Sequence, residues 1–164
     1  MFVRTAGDRD LAAIRALLVE TWHATYDAIY GVERVTEITD KWHSIASLKT
    51  RLTRPNSEFL VADDGKRIGG VAFAESIDGG GSVVLKQLYV LPSLQGRGIG
   101  GMLLDEVIES FPEAHTIRLE VEEQNTRAIA FYEANGFVRS VGDVGEHAGA
   151  SGKPTLVYRR PLAG

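Results

Sequence analysis

The sequence predicts an α/β (α+β) fold with a mixed, mostly antiparallel central sheet of about seven strands and helices on both faces. Three observations support this prediction. Short apolar segments in hairpin order, separated by turn residues, fill residues 59–91. Amphipathic helical segments alternate with strands after residue 98. A glycine-rich stretch, residues 95–101, joins the longest apolar segment to a helix. A meander that continues into a crossover gives a mixed sheet covered by helices.

The first half of the chain predicts a strand, two helices and a meander. Asp8 is placed to cap the first helix, whose apolar residues recur at helical spacing until Gly31. Two turns, rich in Asp and Gly, separate the three strands of the meander. In order, these elements are a strand at 2–5, a helix from 11 to 30, a helix at 45–53, and strands at 59–62, 68–74 and 83–91.

The second half predicts helices alternating with strands. Pro112 ends one helix, and Gly136 closes the next because a left-handed C-cap requires glycine. A Gly- and Ala-rich loop at 142–152 precedes the final strand. In order, these elements are a helix at 99–111, a strand at 116–121, a helix at 125–135, and strands at 137–141 and 155–159.

Size and composition limit the possible functions. A chain of 164 residues predicts a single domain over residues 1–164. The net charge of −4 and the absence of a Lys/Arg cluster disfavour nucleic acid as a partner. Without cysteine there are no disulfides, thiolate metal sites or cysteine nucleophiles, which fits a cytoplasmic protein. Four scattered histidines predict no metal site, and no apolar run is long enough to predict a membrane span.

The stretch Gln95-Gly96-Arg97-Gly98-Ile99-Gly100-Gly101 predicts an anion site. Its glycines let the backbone approach a ligand closely. The helix that starts here adds unpaired N–H groups and the positive end of a dipole. We therefore expect a cradle for a pyrophosphate.

Two cofactor patterns compete for this cradle, since a P-loop is excluded by the lack of a Gly-Lys-Ser/Thr sequence. Gly96, Gly98 and Gly101 satisfy the dinucleotide pattern G-x-G-x-x-G, and Glu120 lies at the distance of a ribose-binding acid. Residues 92–95, however, separate these glycines from the preceding strand, and hairpin strands come first. Dinucleotide binding is therefore the least favoured alternative.

The other pattern is a family resemblance. Residues 88–100, Leu-Tyr-Val-Leu-Pro-Ser-Leu-Gln-Gly-Arg-Gly-Ile-Gly, resemble the acetyl-CoA motif of the GNAT N-acetyltransferases, whose core is Gln/Arg-x-x-Gly-x-Gly/Ala. Gln95, Gly98 and Gly100 match this core. A second block also resembles the family, namely residues 119–121, Asn125 and residues 128–137. Both blocks have the order and spacing of the family, and the resemblance is sharp over residues 83–140.

The resemblance implies acetyl transfer from acetyl-CoA to the primary amine of a small molecule, by direct attack in a ternary complex, with CoA as the product. A bulge in the central strand would free backbone groups for the cofactor. The Val90 N–H would bind pantetheine, and the Leu88 N–H would polarise the thioester carbonyl, which makes Leu88 catalytic as well. The implied cofactor-binding residues are Leu88, Val90, Gln95, Gly96, Arg97, Gly98, Ile99, Gly100, Gly101, Asn125 and Tyr132.

Four polar residues are candidates for the chemistry. Asn125 and Tyr132 are seven residues apart and so share one helix face. The resemblance makes Tyr132 the general acid for the departing thiolate and Asn125 a pantetheine ligand, although Asn125 also fits a helix N-cap. Glu120 is the first candidate for the general base, and Glu75 is held in reserve.

The acceptor site is predicted from an aromatic stripe. Trp22, Tyr26 and Tyr30 recur every four residues, and aromatic faces suit a cationic amine. The predicted substrate-binding residues are these three and Glu75, while a core role for the stripe stays open. His23 is a candidate proton relay, and His147 would reach the acceptor if its loop folds over the site.

Other functions remain open at this point. The enzyme alternative is an acetyltransferase acting on a protein N-terminus or lysine. A binding module for acetyl-CoA without turnover is a further alternative, but such a module would need neither Tyr132 nor Glu120. The resemblance also allows a homodimer.

Overall fold

The computed structural model describes residues 1–141 and 155–162, and within them one seven-stranded sheet and five α-helices. The predicted fold class is confirmed. The elements are β1 (Phe2–Thr5), α1 (Leu11–Tyr30), α2 (Val32–Trp42), α3 (Ile45–Leu52), β2 (Ser57–Asp63), β3 (Ile68–Ile77), β4 (Ser82–Val90), α4 (Ile99–Ser110), β5 (Thr116–Glu122), α5 (Thr126–Ala134), β6 (Val138–Arg139) and β7 (Thr155–Pro161).

The strand order in the sheet is β1-β2-β3-β4-β5-β7-β6. Every neighbouring pair is antiparallel except β4 and β5, which are parallel. The α4 crossover joins these two strands, as a parallel connection requires. The meander of β2, β3 and β4 therefore meets the rest of the sheet at a single parallel junction.

Helices cover both faces of the sheet. On one face Ala72 and Ala74 of β3 pack in the core cluster that also contains buried residues of α4. On the other face Val71 and Phe73 pack in the cluster that contains buried residues of α1 and α3. This alternation follows from the two-residue period of a strand and explains why β3 is apolar along most of its length.

Two details of the N-terminal half correct the sequence prediction. A helix, α2, occupies residues 32–42, which the prediction left unassigned. Its buried residues Val35 and Ile38 are three apart, which is a helical spacing. The residues around them are mostly polar, so the apolar pattern was too short to predict a helix. The carboxylate of Asp10, rather than Asp8, accepts the backbone N–H of Gly7 ahead of α1, at 2.8 Å.

At the C-terminal end the predictions hold in part. Gly136 has φ +88°, as the predicted C-cap of α5 requires. The strand predicted at 137–141 is shorter and covers only Val138 and Arg139. The predicted loop at 142–152, with His147, lies outside the described residues. Among the described helices, none is both long and apolar enough to cross a membrane.

His43, which follows α2, is a buried titratable group. Its side chain is 2% exposed, and its ring centroid lies 5.5 Å from that of Trp22. Within the described residues its Nε2 atom has no hydrogen-bond partner. Burial, followed by the positive charges of Arg51 and Arg15, lowers the pKa of His43 to about 3. The folded protein therefore holds this imidazole neutral.

We expect His43 to make stability depend on pH. Between pH 6.5 and about 3 the unfolded chain takes up a proton that the folded state excludes. The free energy of unfolding therefore falls as the pH falls, by at most ~1.4 kcal/mol per pH unit for one proton. Denaturant unfolding from pH 7 to 4.5 should show this slope, and His43→Gln should reduce it. His115→Gln, at an exposed position, is the matched control, and an equal reduction there would contradict the assignment.

Candidate active site

A cleft opens where β4 and β5 diverge. The two strands pair only at their first residues, 82–84 with 116–118. The β3–β4 register then shifts and leaves Lys86 as an extra residue between Leu85 and Gln87. Such a bulge bends the strand and increases its twist. From Leu85 onward, residues 85–90 of β4 have no ladder partner in β5.

The bulged part of β4 turns backbone groups toward this gap. The Leu91 N–H donates to the Gly69 carbonyl at 2.9 Å, and bonded and non-bonded pairs alternate along an antiparallel ladder. Leu88 and Val90 therefore occupy non-bonded positions opposite β3. Their N–H groups point away from β3, into the gap. This arrangement provides the geometry that the predicted roles of the two N–H groups require.

The glycine stretch forms the wall at the start of α4. Gly98 is the N-cap of α4 and has φ +83°, a conformation that favours glycine. A Cβ on Gly100 would lie only 3.0 Å from the Phe131 ring, so a side chain there would crowd the approach of α4 to α5. The Gln95 side chain donates to the Val90 carbonyl at 3.1 Å. This bond ties the glycine stretch to the exposed edge of β4.

The cleft has a volume of about 450 Å³. It brings together every predicted cofactor-binding residue except Arg97. Arg97 is exposed and does not line the cleft, whereas Arg127 of α5 does. Among the described residues that line the cleft, Arg127 is the one with a cationic side chain. The lining residues are Thr21, Thr25, Leu88, Tyr89, Val90, Leu94, Gln95, Gly96, Gly98, Ile99, Gly100, Gly101, Asn125, Arg127, Ala128, Phe131 and Tyr132.

Asn125 serves as the N-cap of α5, one of the two roles predicted for it. Its Oδ1 accepts the Ala128 N–H at 3.2 Å. Its Nδ2 donates to the hydroxyl of Tyr26 at 3.1 Å. An amide nitrogen carries two hydrogens, so one donor remains for a ligand in the cleft. Asn125 thus fixes the start of α5 and links it to α1.

Tyr132 lies on the cleft wall and is only 8% exposed. The rings of Phe131 and Phe137 contact it edge-on, with centroids 5.4 and 5.5 Å away. Burial, and then the nearby Tyr89, raise the pKa of the Tyr132 phenol well above its ordinary value. The phenol therefore stays protonated at neutral pH and remains a hydrogen-bond donor. Its predicted role as the general acid requires that state.

The predicted aromatic stripe is mostly buried. Trp22 and Tyr26 are 4% and 5% exposed and form a core cluster with Val35 and Ile38 of α2, against which the half-buried Tyr30 packs. The Tyr26 and Tyr30 rings stack with centroids 5.4 Å apart. Burial supports the core role that the sequence left open. The contact of Tyr26 with Asn125 nevertheless places the stripe beside the cleft, and its role toward a substrate stays a prediction.

Two carboxylates of β5 lie on the face of the sheet opposite α4. Ile117, Leu119 and Val121 belong to the core on the α4 side, so the alternate residues Glu120 and Glu122 point to the opposite face. Glu120 accepts a hydrogen bond from the Thr155 hydroxyl at 2.7 Å. Glu122 accepts one from the Tyr30 hydroxyl and is buried, whereas Glu120 is half-buried.

Glu75, the reserve base and predicted substrate ligand, lies away from the cleft lining. Its carboxylate pairs with Arg54 at 2.8 Å and with Lys86 at 3.4 Å. Burial alone would raise the pKa of Glu75, but the hydrogen bond from Arg54 and the charge of Lys86 together lower it. A carboxylate held by two cations is a weak base, so the geometry disfavours this role.

Residues of α1 and α5 that line the cleft were missed in the sequence. Thr21 and Thr25 are four apart on α1, and Arg127 and Phe131 are four apart on α5. Each pair shares a helix face. The sequence analysis recognised Trp22, Tyr26 and Tyr132, each of which is one position further along the chain than a missed residue. The missed polar residues could have been found by extending the two helix faces to include these neighbours.

Similarity to known proteins agrees with this geometry. The family model described as the acetyltransferase (GNAT) family matches residues 12–137. The peptidyl-lysine N-acetyltransferase YiaC of Escherichia coli is 30% identical, over 82% of each chain. The uncharacterized N-acetyltransferase YhfO of Bacillus subtilis is 29% identical, over 88% of this chain and 94% of its own. The structure of PaiA N-acetyltransferase from Thermoplasma acidophilum, in complex with coenzyme A, superposes with a TM-score of 0.83 at 23% identity, covering 98% of both chains.

Proposed function

Because the chain belongs to the GNAT acetyltransferase family, we propose that it transfers an acetyl group from acetyl-CoA to the primary amine of a small molecule. The transfer is direct, within a complex that holds both substrates. The described residues and the full sequence contain no cysteine to carry the acetyl group, which supports direct transfer.

One observation carries this proposal. The gap between β4 and β5 receives the N–H groups of Leu88 and Val90 at one end and the glycine-rich start of α4 at the other. The strand edge suits the amides and carbonyl of an acetylated pantetheine arm. The helix N-terminus suits a pyrophosphate, and Arg127 adds a positive charge to the lining of the same cleft. A single extended cofactor with both chemical parts fits the cleft.

Residues of the chain meet each chemical requirement of aminolysis. The Leu88 N–H is the donor for the thioester oxygen as negative charge develops there, a contribution worth about 3 kcal/mol in comparable sites. A carboxylate of β5 accepts a proton from the acceptor nitrogen. Tyr132 donates its proton to the sulfur as the C–S bond breaks. The cleft supplies alignment by holding the two substrates together.

Two observations bear on the acceptor. The stacked Tyr26 and Tyr30 beside Glu122 provide aromatic faces and a negative charge, both of which attract an ammonium group. This chemistry fits a small cationic amine. The second candidate is a protein lysine side chain, which the similarity to a peptidyl-lysine N-acetyltransferase favours.

A CoA-release assay separates these acceptors. Purified protein and acetyl-CoA are combined with a panel of small primary amines, lysine-containing peptides and peptides with free N-termini. We expect release above background with one or more small amines. Release with peptides alone would replace the small-molecule proposal. Absence of release with every acceptor, together with thermal stabilisation by acetyl-CoA, would indicate a binding module, and stabilisation by NAD but not by CoA would indicate a dinucleotide protein.

A further inference from the structure

Arg51, near the end of α3, carries a positive charge whose partners in the described residues are all neutral. Its guanidinium donates to the side-chain oxygen of Gln87 at 2.9 Å and to the backbone carbonyl of Trp42 at 2.7 Å. It also lies 3.5 Å from Nδ1 of His43, an imidazole that burial keeps neutral. A guanidinium in a protein stays charged, so this charge has no carboxylate to balance it within the described part of the chain.

The half-buried position of Arg51 makes that charge costly. Burial lowers the pKa of Arg51, and the nearby Tyr89 opposes this shift. Tyr89 is no counter-charge at neutral pH, because burial raises the pKa of its phenol to about 12. A cation removed from water is stabilised when an anion comes close to it. The surroundings of Arg51 therefore favour an anionic ligand.

The same guanidinium fixes the orientation of the Gln87 amide. Arginine carries hydrogen-bond donors and no acceptor, so the Gln87 atom that faces it is the carbonyl oxygen Oε1. The amide nitrogen Nε2, with its two hydrogens, therefore faces away from Arg51. Among the described residues Nε2 has no hydrogen-bond partner, and Gln87 is half-buried. Together the two residues present an oriented donor with a positive charge behind it.

Gln87 lies beside the predicted reaction centre, on the face of the sheet opposite α4. Leu88 and Val90 pack against the core cluster that contains residues of α4, whereas Tyr89 packs against the clusters that contain residues of α1. The two-residue period of a strand places Gln87 on the same face as Tyr89. Leu88 and Tyr89 line the cleft, and Gln87, next to them, is not among the lining residues. Its position thus suits contact with an acceptor rather than with the cofactor.

A carboxylate lies across the gap from this donor. Val84 is opposite Arg118 in the parallel pair. With the extra residue of the β4 bulge, Glu120 of β5 falls about level with Gln87, and both are on the face opposite α4. The β4 side of the gap is therefore positive, through Arg51, and the β5 side carries an acidic residue. A ligand with one positive and one negative group matches this arrangement.

We propose that Gln87 and Arg51 form a carboxylate subsite for the acceptor, so that the preferred acceptor is an amino acid, a small amine that also carries a carboxylate. This inference rests on the acetyltransferase function proposed above. Gln87 Nε2 donates a hydrogen bond to a carboxylate oxygen, and a hydrogen bond to an ionised acceptor is stronger than one to a neutral acceptor. Arg51 is a positioning residue, which holds the Gln87 amide in place and adds the attraction of its charge.

The test uses paired acceptors that differ in the carboxylate. Wild type and variants are assayed for CoA release with α- and ω-amino acids, each paired with its own primary amide, which keeps the amine and lacks the carboxylate. We expect the wild type to favour the carboxylate member of at least one pair. The ratio of the two kcat/KM values for that pair is then compared between wild type and variants, so that the different basicity of the two amines cancels.

Gln87→Glu is the main variant. It replaces the NH₂ group by an oxygen of similar size and gives Arg51 a carboxylate partner, so the packing is preserved. We expect kcat/KM for the carboxylate acceptor to fall about 10- to 10²-fold, mostly through KM because the contact is remote from the reacting atoms. The value for the amide should change only a few-fold, and the KM for acetyl-CoA should stay at the wild-type value.

Lys86→Gln is the matched control. It changes the net charge by the same amount at the neighbouring position, but Lys86 is exposed and pairs with Glu75. The acceptor ratio should stay at the wild-type value in this variant.

Arg51 gives the second readout. Arg51→Met should lower the acceptor ratio in the same direction as Gln87→Glu, and Arg51→Lys, which keeps the charge, should retain part of the preference. Thermal unfolding checks that each variant is folded. If Arg51→Met does not fold, Gln87→Leu replaces it, since that variant removes the donor and leaves Arg51 in place.

Three outcomes would contradict the proposals. An equal loss with both members of a pair in Gln87→Glu would show a structural role and overturn the inference. A wild type that acetylates amines but favours no carboxylate acceptor would overturn it as well and leave acetyl transfer intact. If the wild type releases no CoA with any acceptor, it is the proposed function that fails, before any variant is made.

Discussion

Replacing Tyr132 by Phe should lower kcat about 10²- to 10⁴-fold, the range for removal of a general acid. The hydroxyl is the only group removed, and the ring keeps its contacts with Phe131 and Phe137. Because burial raises the pKa of the phenol, the wild-type rate should show no alkaline loss due to Tyr132 at moderately basic pH. Steady-state kinetics and isothermal titration with acetyl-CoA measure the two effects separately.

Tyr158→Phe is the matched control for the loss of a tyrosine hydroxyl. Tyr158 is 3% exposed in the same core cluster but does not line the cleft. Its replacement should leave kcat near the wild-type value. Unchanged turnover in Tyr132→Phe would remove Tyr132 from the acid role. A fall in acetyl-CoA affinity that accounts for the whole effect would show that Tyr132 only shapes the cleft.

Replacing Gly98 by Asp should raise the KM for acetyl-CoA about 10²-fold. Gly98 is the N-cap of α4 and lines the cleft. A carboxylate about 5 Å from a phosphate charge is repelled by ~3 kcal/mol at an effective dielectric constant near 20. Added salt should weaken the effect, since screening reduces repulsion between partly exposed charges. Initial rates at varied acetyl-CoA and ionic strength measure both.

Gly98→Asn separates charge from backbone strain. Asn and Asp have nearly the same shape, and both tolerate the positive φ of this position better than most residues do. We expect the Asn variant to raise the KM far less. Gly65→Asp is the control for backbone strain away from the cleft. Gly65 lies in a turn with φ +96° and has open space around it. Equal KM values for the Asp and Asn variants of Gly98 would contradict a phosphate site here.

Much of the cleft was predictable because its features are local in sequence. The glycine stretch, the Asn125 cap and the Gly136 stop each depend on backbone conformations that few residues adopt. The start of α4 could therefore be placed from residues 95–101 alone. Leu88 and Val90 were assigned through the family resemblance, and the β4 bulge accounts for their orientation.

The features that were missed depend on contacts between distant segments. The bond from Tyr30 to Glu122 joins residues 92 apart in the sequence, and no local pattern indicates it. The sequence made Glu75 the reserve base, whereas folding places its carboxylate between Arg54 and Lys86. Lys86 is the extra residue of the β4 bulge and pairs with Glu75. The position of the bulge follows from strand pairing. Helix α2 was missed because its apolar residues are few, although they are correctly spaced.

The central claim is that the cleft holds both substrates and transfers the acetyl group directly. Initial rates measured while acetyl-CoA and an accepted amine are varied together test it most directly. Direct transfer predicts lines that intersect in a double-reciprocal plot, and an intact protein mass that acetyl-CoA alone does not change. Parallel lines, together with an acetylated protein that passes its acetyl group to the amine, would show a covalent intermediate and contradict the account.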